Sequence, residues 1–308
     1  MADGCCAPRR EARPASATTD VRAAPAGAPA DALPELVRLE GGTFLMGSQD
    51  ADANPGDGEG PVRPVTVAAF EIATTTVTNA QFAAFVDATG YVTGAERYGW
   101  SFVFASFLPG ELRRGAQRPA GTPWWCRVEG AFWRRPEGPG SDVADRLDHP
   151  VVHVDHTDAR AYCAWAGLRL PSEVEWEYAA RGGLEQARYP WGDELLPGGE
   201  HRCNIWQGRF PTRNTLDDGW FGTAPVGSFQ PNGYGLYDVA GNVWEWCVDA
   251  WSVGGVGAAD AGDAPRVMRG GSYLCHDSYC NRYRVAARTS NDPASSSGNV
   301  GFRCARSV

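Results

Sequence analysis

Apolar and polar positions alternate with a period of two through Leu36-Val37-Arg38-Leu39-Glu40 and again through Thr43-Phe44-Leu45-Met46, with Gly41-Gly42 between them. That pattern predicts a β-hairpin turning on the two glycines. Thr78 with Gln81 three residues later is a capping box, opening a helix through Phe82, Phe85 and Val86 that ends before Gly90. Tyr98 to Pro139 has aromatics, glycines and prolines without periodicity, and reads as long surface loops forming a cleft wall. Val151-Val152-His153-Val154 reads as a strand, with His149 and His153 on one face and His156 on the other. The three histidines therefore do not converge on a metal. Thr157 is expected to cap a helix with the stripe Ala159, Tyr162, Cys163 and Ala166, stopped by Gly167. Ser172 with Glu175 opens a third helix, holding Val174, Trp176 and Tyr178 and closed by Gly182-Gly183. From there to Val308 the pattern is strands, turns and loops, with no second internal repeat.

Composition divides the chain at one place. Residues 1–34 are Ala/Pro-rich with almost no large apolar side chains, and cannot bury enough surface to offset their ordering entropy. They are expected to be a disordered tail, and residues 35–308 one folded domain. Arg9-Arg10 hints at twin-arginine export, but no apolar stretch follows, so no signal peptide is read and a cytoplasmic location is expected. Cys5-Cys6 reads as a pair of thiols on that tail. A net charge of −9 and a pI near 5.1 argue against nucleic acid as a partner, and no stretch is long and apolar enough to span a membrane. With 38 Gly, 22 Pro and 12 Trp, the domain should be loop-rich with an aromatic interior.

The candidate chemistry is concentrated between Arg266 and Arg288. Cys275 and Cys280 lie there among Arg266, Arg269, Arg282, Arg284 and Arg288, against one acid, Asp277. Arginine near a thiol favours the thiolate, which is both nucleophile and metal ligand. On a helix, residues five apart diverge by about 140°. The sulfurs meet only if Tyr273-Leu274 and Arg282 to Val285 are strand-like and His276 to Tyr279 turns between them. Two thiolates converging without histidine or carboxylate suit a soft ion such as Cu(I). A structural disulfide, a redox-active disulfide and two buried thiols are the alternatives. The acidic loop Asp50, Asp52, Asn54, Asp57, Glu59 begins like an EF-hand but has Pro55 and Pro61 at the turn-glycine and bidentate-glutamate positions. It reads as a solvated loop. Asn204, Asp217-Asp218, Asp238 and Glu245 are oxygen donors among turn glycines, and suit either calcium or backbone-satisfied turns.

R-G-G-S-Y-L-C-H-D-S-Y-C-N-R-Y-R with the closing G-F-R-C (Gly301 to Cys304) resembles the catalytic segment of the formylglycine-generating enzymes. Gly41 to Gly47, Leu170 to Gly183, Asn204 to Gly208 and Gly235 to Trp246 resemble further blocks of that family, in its order. His-Val is followed here by Asp155-His156, where the family usually has Ser-Trp. The resemblance implies a single α+β domain, low in regular structure and distantly C-type-lectin-like. It implies oxidation of a cysteine, within C-x-P-x-R of an unfolded sulfatase polypeptide, to Cα-formylglycine with O₂. Cys275 and Cys280 would hold Cu(I), and Ser272, Tyr279 and Trp244 would line the site, with Asn299 orienting it. Two structural Ca²⁺ sites are implied: Asn204, Ile205, Asp218 and Trp220, and then Asp238, Gly241, Val243 and Glu245. Cys163 and Cys304 match positions bridged in secreted relatives and are expected close together but reduced. Two other classes share parts of the pattern: a non-catalytic lectin-like binding module, and a mononuclear iron enzyme of the sulfoxide-synthase kind.

Overall fold

The computed structural model describes residues 7–10, 28–29, 32–54, 56–254, 257–259 and 262–308. A three-stranded antiparallel sheet joins β1 (Leu36–Leu39), β4 (Phe70–Ala73) and β13 (Ala305–Ser307), with β4 in the middle. A four-stranded sheet runs in the order β11 (Arg288–Asn291), β10 (Arg266–Arg269), β9 (Trp244–Ala250), β12 (Val300–Gly301). Its last pair is parallel. Among the described residues, three two-stranded ladders complete the β structure. They are β2 (Gly42–Met46) with β3 (Arg63–Val67), β5 (Trp100–Phe104) with β6 (Trp125–Glu129), and β7 (Gly208–Arg209) with β8 (Arg213–Asn214). The helices are α1 (Asn79–Thr89), α2 (Gly94–Tyr98), α3 (Gly110–Gly115), α4 (His156–Trp165) and α5 (Glu173–Arg181).

The capping signals at Thr78 and Ser172 place α1 and α5 where expected, each closed by a left-handed glycine, Gly90 and Gly182. The helix at 156–165 opens two residues earlier than expected. Asp155, not Thr157, is its cap, in a reciprocal box with Asp158. The expected hairpin at Leu36–Met46 does not form, because β1 pairs with β4 and β2 pairs with β3. Gly41, at φ 73°, crosses so close to Val67 that a Cβ would lie 2.3 Å from its carbonyl oxygen. The two glycines thus carry the chain from one sheet to another.

The aromatic stretch 98–139 is not loop alone: Trp100–Phe104 and Trp125–Glu129 pair in register, their turn spanning α3. No strand forms at Val151–Val154. His153 adopts φ 61°, its amide donating to Ser297 O and its Nδ1 lying 2.8 Å from Ser101 Oγ. Phe82 and Phe85 of α1 pack on Tyr162 and Trp165 of α4 and on Phe302, in an apolar cluster that also holds Cys163, Cys275, Cys280 and Cys304. The Ala/Pro-rich tail is partly docked: Ala7 and Arg10 are buried, and Tyr162 donates to Ala32 O.

Candidate functional site

The cysteine segment is closed by backbone rather than by strands. Gly270 and Gly271 leave β10 with positive φ, and a Cβ on Gly271 would meet Arg282 O at 2.8 Å. The chain therefore departs and returns at one place, and only a glycine allows the approach. Between these ends, Cys275 N donates to Ser272 O (2.8 Å), while Tyr279, Cys280 and Asn281 N all turn back onto His276 O (3.0, 3.0 and 3.1 Å). The expected turn at His276–Tyr279 is present. Tyr273-Leu274 and Arg282–Val285, however, are turns and irregular backbone, not strands.

Cys275 and Cys280 are reduced and buried, 1% and 3% exposed. Ser272 N points at Cys275 Sγ (3.4 Å). Ser272 Oγ accepts from Asn299 Nδ2 (3.0 Å) and Leu274 N (3.4 Å), and Asn299 Oδ1 accepts from Ser297 Oγ (2.8 Å). Trp206 N donates to Cys275 O (3.0 Å) and Asn54 Nδ2 to Cys280 O (3.3 Å). Tyr279 is stacked on Phe210 (4.4 Å) and meets Trp124 edge-on (4.8 Å). Trp244 is wholly buried on β9, and its amide donates to Asn299 O (2.9 Å), so it supports the site from beneath. An open groove of about 680 Å³ runs past Cys280 and Tyr279, lined also by Asn54, Arg188, Tyr189 and Asp277.

The arginines do not form a cationic floor. Arg282 pairs with Asp57 (2.6 Å), Arg284 with Glu59 (2.6 Å), Arg269 with Glu173 and Glu177 (3.0 and 2.5 Å), and Arg288 with Glu173 (2.6 Å). All four are buried, so each charge is met locally and the thiols gain little of the field that the sequence suggested. The loop expected to be solvated supplies two of these carboxylates, Asp57 and Glu59. Burial pushes the Glu177 carboxyl up, but Arg269 and Arg181 outweigh it and hold it below its usual range.

The oxygen-donor positions differ in character. Asn204 Oδ1 and Asp238 Oδ1 are buried acceptors without a hydrogen-bond donor. Asp218 receives Ile205 N (3.0 Å) and Trp220 N (3.1 Å), and burial raises its carboxyl. Burial raises Asp238 to about 6. Glu245 is committed: Arg303 grips both its oxygens (2.6 and 2.7 Å) and Trp176 Nε1 adds a third bond (2.7 Å).

Residues 21–308 match the family model described as a sulfatase-modifying factor enzyme 1-like domain. The chain belongs to that family. It is 59% identical over 293 residues to the formylglycine-generating enzyme of Thermomonospora curvata, covering 91% of this chain and 96% of that one. It is 59% identical over 276 residues to the formylglycine-generating enzyme of Streptomyces coelicolor, covering 87% and 88%. Among solved structures, PvdO from Pseudomonas aeruginosa superposes with a TM-score of 0.66 at 27% identity, covering 90% of this chain and 95% of that one. The α+β, loop-rich single-domain fold is thus the family's fold.

Sequence reasoning did not find Ser297, Asn54, Trp124 or Phe210 as neighbours of the site. Ser297 and Asn54 lie in polar loops where nothing in local pattern marks a long-range contact. Trp124 and Phe210 belonged to aromatic stretches whose pairing only the fold reveals.

Proposed function

We propose that this chain converts a cysteine in a C-x-P-x-R stretch of an unfolded sulfatase polypeptide to Cα-formylglycine, in an O₂- and copper-dependent reaction centred on Cys275 and Cys280. The observation that carries it is the pair of buried cysteines on one backbone-closed loop, beside the Ser272–Asn299 hydrogen bond, with Cys280 lining an open groove. An open groove with aromatic rims suits an extended peptide better than a small metabolite, which calls for an enclosing pocket.

The donor set fits Cu(I). Two sulfurs in apolar surroundings are soft ligands, and among the described residues no cluster of three or more His, Cys, Asp or Glu competes for a harder ion. When bound, copper would supply one-electron chemistry toward O₂ and a docking point for the substrate thiolate. The chain's own groups do the rest. Ser297 fixes the Asn299 amide, and Asn299 holds the Ser272 oxygen. The Ser272 hydroxyl proton is thereby left to point away from Asn299. Tyr279, with Phe210 and Trp124, forms the aromatic rim over which the peptide lies. The burial of Cys275 and Cys280 keeps bulk water from the reacting atoms.

The first calcium set, Asn204, Ile205, Asp218 and Trp220, fits a cation: an orphaned buried amide oxygen stands with a carboxylate whose charge burial opposes. The second set does not fit as it stands. Asp238 has a vacant oxygen, but Glu245, its partner with the Gly241 and Val243 carbonyls, already holds Arg303 and Trp176. Among the described residues no helix is long and apolar enough to cross a membrane. The proposal is tested by incubating the copper-loaded protein aerobically with a C-x-P-x-R peptide and trapping any aldehyde. A peptide cysteine returned unchanged defeats it.

A further inference from the structure

The segment Ala7 to Arg10 takes no part in the site described above, yet it is docked against the loop that carries Asn299. Asn291 Nδ2 donates to Pro8 O (3.2 Å), and Arg10 N donates to Ser295 Oγ (2.9 Å). The Arg10 guanidinium donates to Ala294 O (3.1 Å), to Trp100 O from both terminal nitrogens (3.2 Å each) and to Ser296 Oγ (3.0 Å). Its central carbon lies 3.9 Å from the Tyr98 ring centroid and 4.0 Å from that of Trp100. Burial lowers its pKa to about 10, so it remains a cation. A planar fork read by carbonyls and a hydroxyl, with rings against its faces, is recognition of arginine in particular and would not accept lysine equally.

The shelf on which it sits, Asn291 to Ser296, runs directly into Ser297 and Asn299, the residues that hold Ser272. The docked segment is thus linked through the backbone of this shelf to the groups that hold Ser272.

Its sequence is Cys6-Ala7-Pro8-Arg9-Arg10, which is C-x-P-x-R. Burial follows the motif: Pro8 and Arg10 are buried, whereas Arg9, at a variable position, is exposed. Two adjacent arginines with the same chemistry are treated differently, and the one that is gripped holds the motif position. Cys6 lies outside the described residues.

We propose that Tyr98, Trp100, Ser295 and Ser296 form the arginine subsite for the target peptide, and that the chain's own N-terminus occupies it in cis. The inference rests on the peptide-modifying function proposed above, and it adds both the subsite and a built-in competitor. Because the segment is covalently part of the chain, its docking is intramolecular, at an effective concentration on the order of 1 mM. A segment whose intrinsic Kd is about 0.1 mM would then weaken an external peptide roughly tenfold.

The test is fluorescence anisotropy with a labelled Ser-Ala-Pro-Arg-Arg peptide, in which serine replaces the reactive cysteine. It is run on the full chain, on Arg10→Ala and on Arg10→Ala/Trp100→Ala. Arg10→Ala should bind the peptide about tenfold more tightly than wild type, and adding Trp100→Ala should remove that gain. Arg10→Lys should fall between wild type and Arg10→Ala. Pro8→Gly, which loosens the segment without touching the pocket, should move in the same direction as Arg10→Ala and covers the case in which Arg10→Ala does not fold. Equal or weaker binding by Arg10→Ala would make Arg10 a structural brace and overturn the proposal, as would a peptide that binds no form of the chain. Binding is read without turnover, so loss of the catalytic reading would show separately, as tight peptide binding with no aldehyde formed from the cysteine peptide.

Discussion

Cys275 and Cys280 are the residues on which the proposed chemistry turns, and Ser272 N points at the Cys275 sulfur. The full chain should bind about one Cu(I), and Cys275→Ser or Cys280→Ser should each abolish tight binding, since a single thiolate is left. Chelator competition measures this, and tight copper in the double serine variant would contradict it. A second pair behaves differently. Cys163 and Cys304 are buried with sulfurs 3.5 Å apart, and burial together with Cys163 pushes the Cys304 thiol well up. They should resist alkylation in the folded protein and cross-link only under strong oxidant, as mass mapping of the oxidised peptides would show. Labelling at neutral pH without unfolding would count against this. The flanking motifs singled out all four cysteines in the sequence, and the expected closeness of Cys163 and Cys304 is met in the structure. The environment was not. Five arginines in one segment predicted a positive field, and only the fold shows their carboxylates arriving from Asp57, Glu59, Glu173 and Glu177.

At the scale of elements, the 48–62 loop and the cysteine loop are pinned together by Arg282–Asp57 and Arg284–Glu59. Both pairs are buried, and removing one partner strands a charge. Glu59→Ala should destabilise the protein by about 3–5 kcal/mol in urea unfolding. A loss below about 1 kcal/mol would return the loop to the solvated class that its composition suggested. Helices were legible because capping boxes at Thr78 and Ser172 are local signals. Strand pairing was not. Alternation marked β1 and β2 as strands, but their partners β4 and β3 are distant in sequence, and period-two patterns carry no information on register. The cap at Asp155 was missed because Asp158 in place of the usual Glu completes its box.

The whole molecule has a pH signature. His153 is fully buried, and burial lowers its pKa from 6.5 to about 4; burial likewise lowers His156 to about 3. Between these values and 6.5 the unfolded chain binds protons that the folded chain refuses, so stability falls as pH drops below 6.5. From pH 7 to pH 5, His153 alone should contribute a loss of about 2 kcal/mol, which His153→Gln should remove from the urea-unfolding difference. An unchanged slope in that variant would show that His153 titrates normally.

The central claim is that the buried cysteine pair oxidises a peptide cysteine at the groove that Cys280 lines. Its most direct measurement is mass spectrometry of a C-x-P-x-R peptide after aerobic incubation with the Cu(I)-loaded chain, followed by aldehyde-specific trapping. The account predicts trapped formylglycine from the wild type and none from Cys275→Ser or Cys280→Ser. Peptide recovered unchanged, or joined to the protein only by a disulfide, would contradict it.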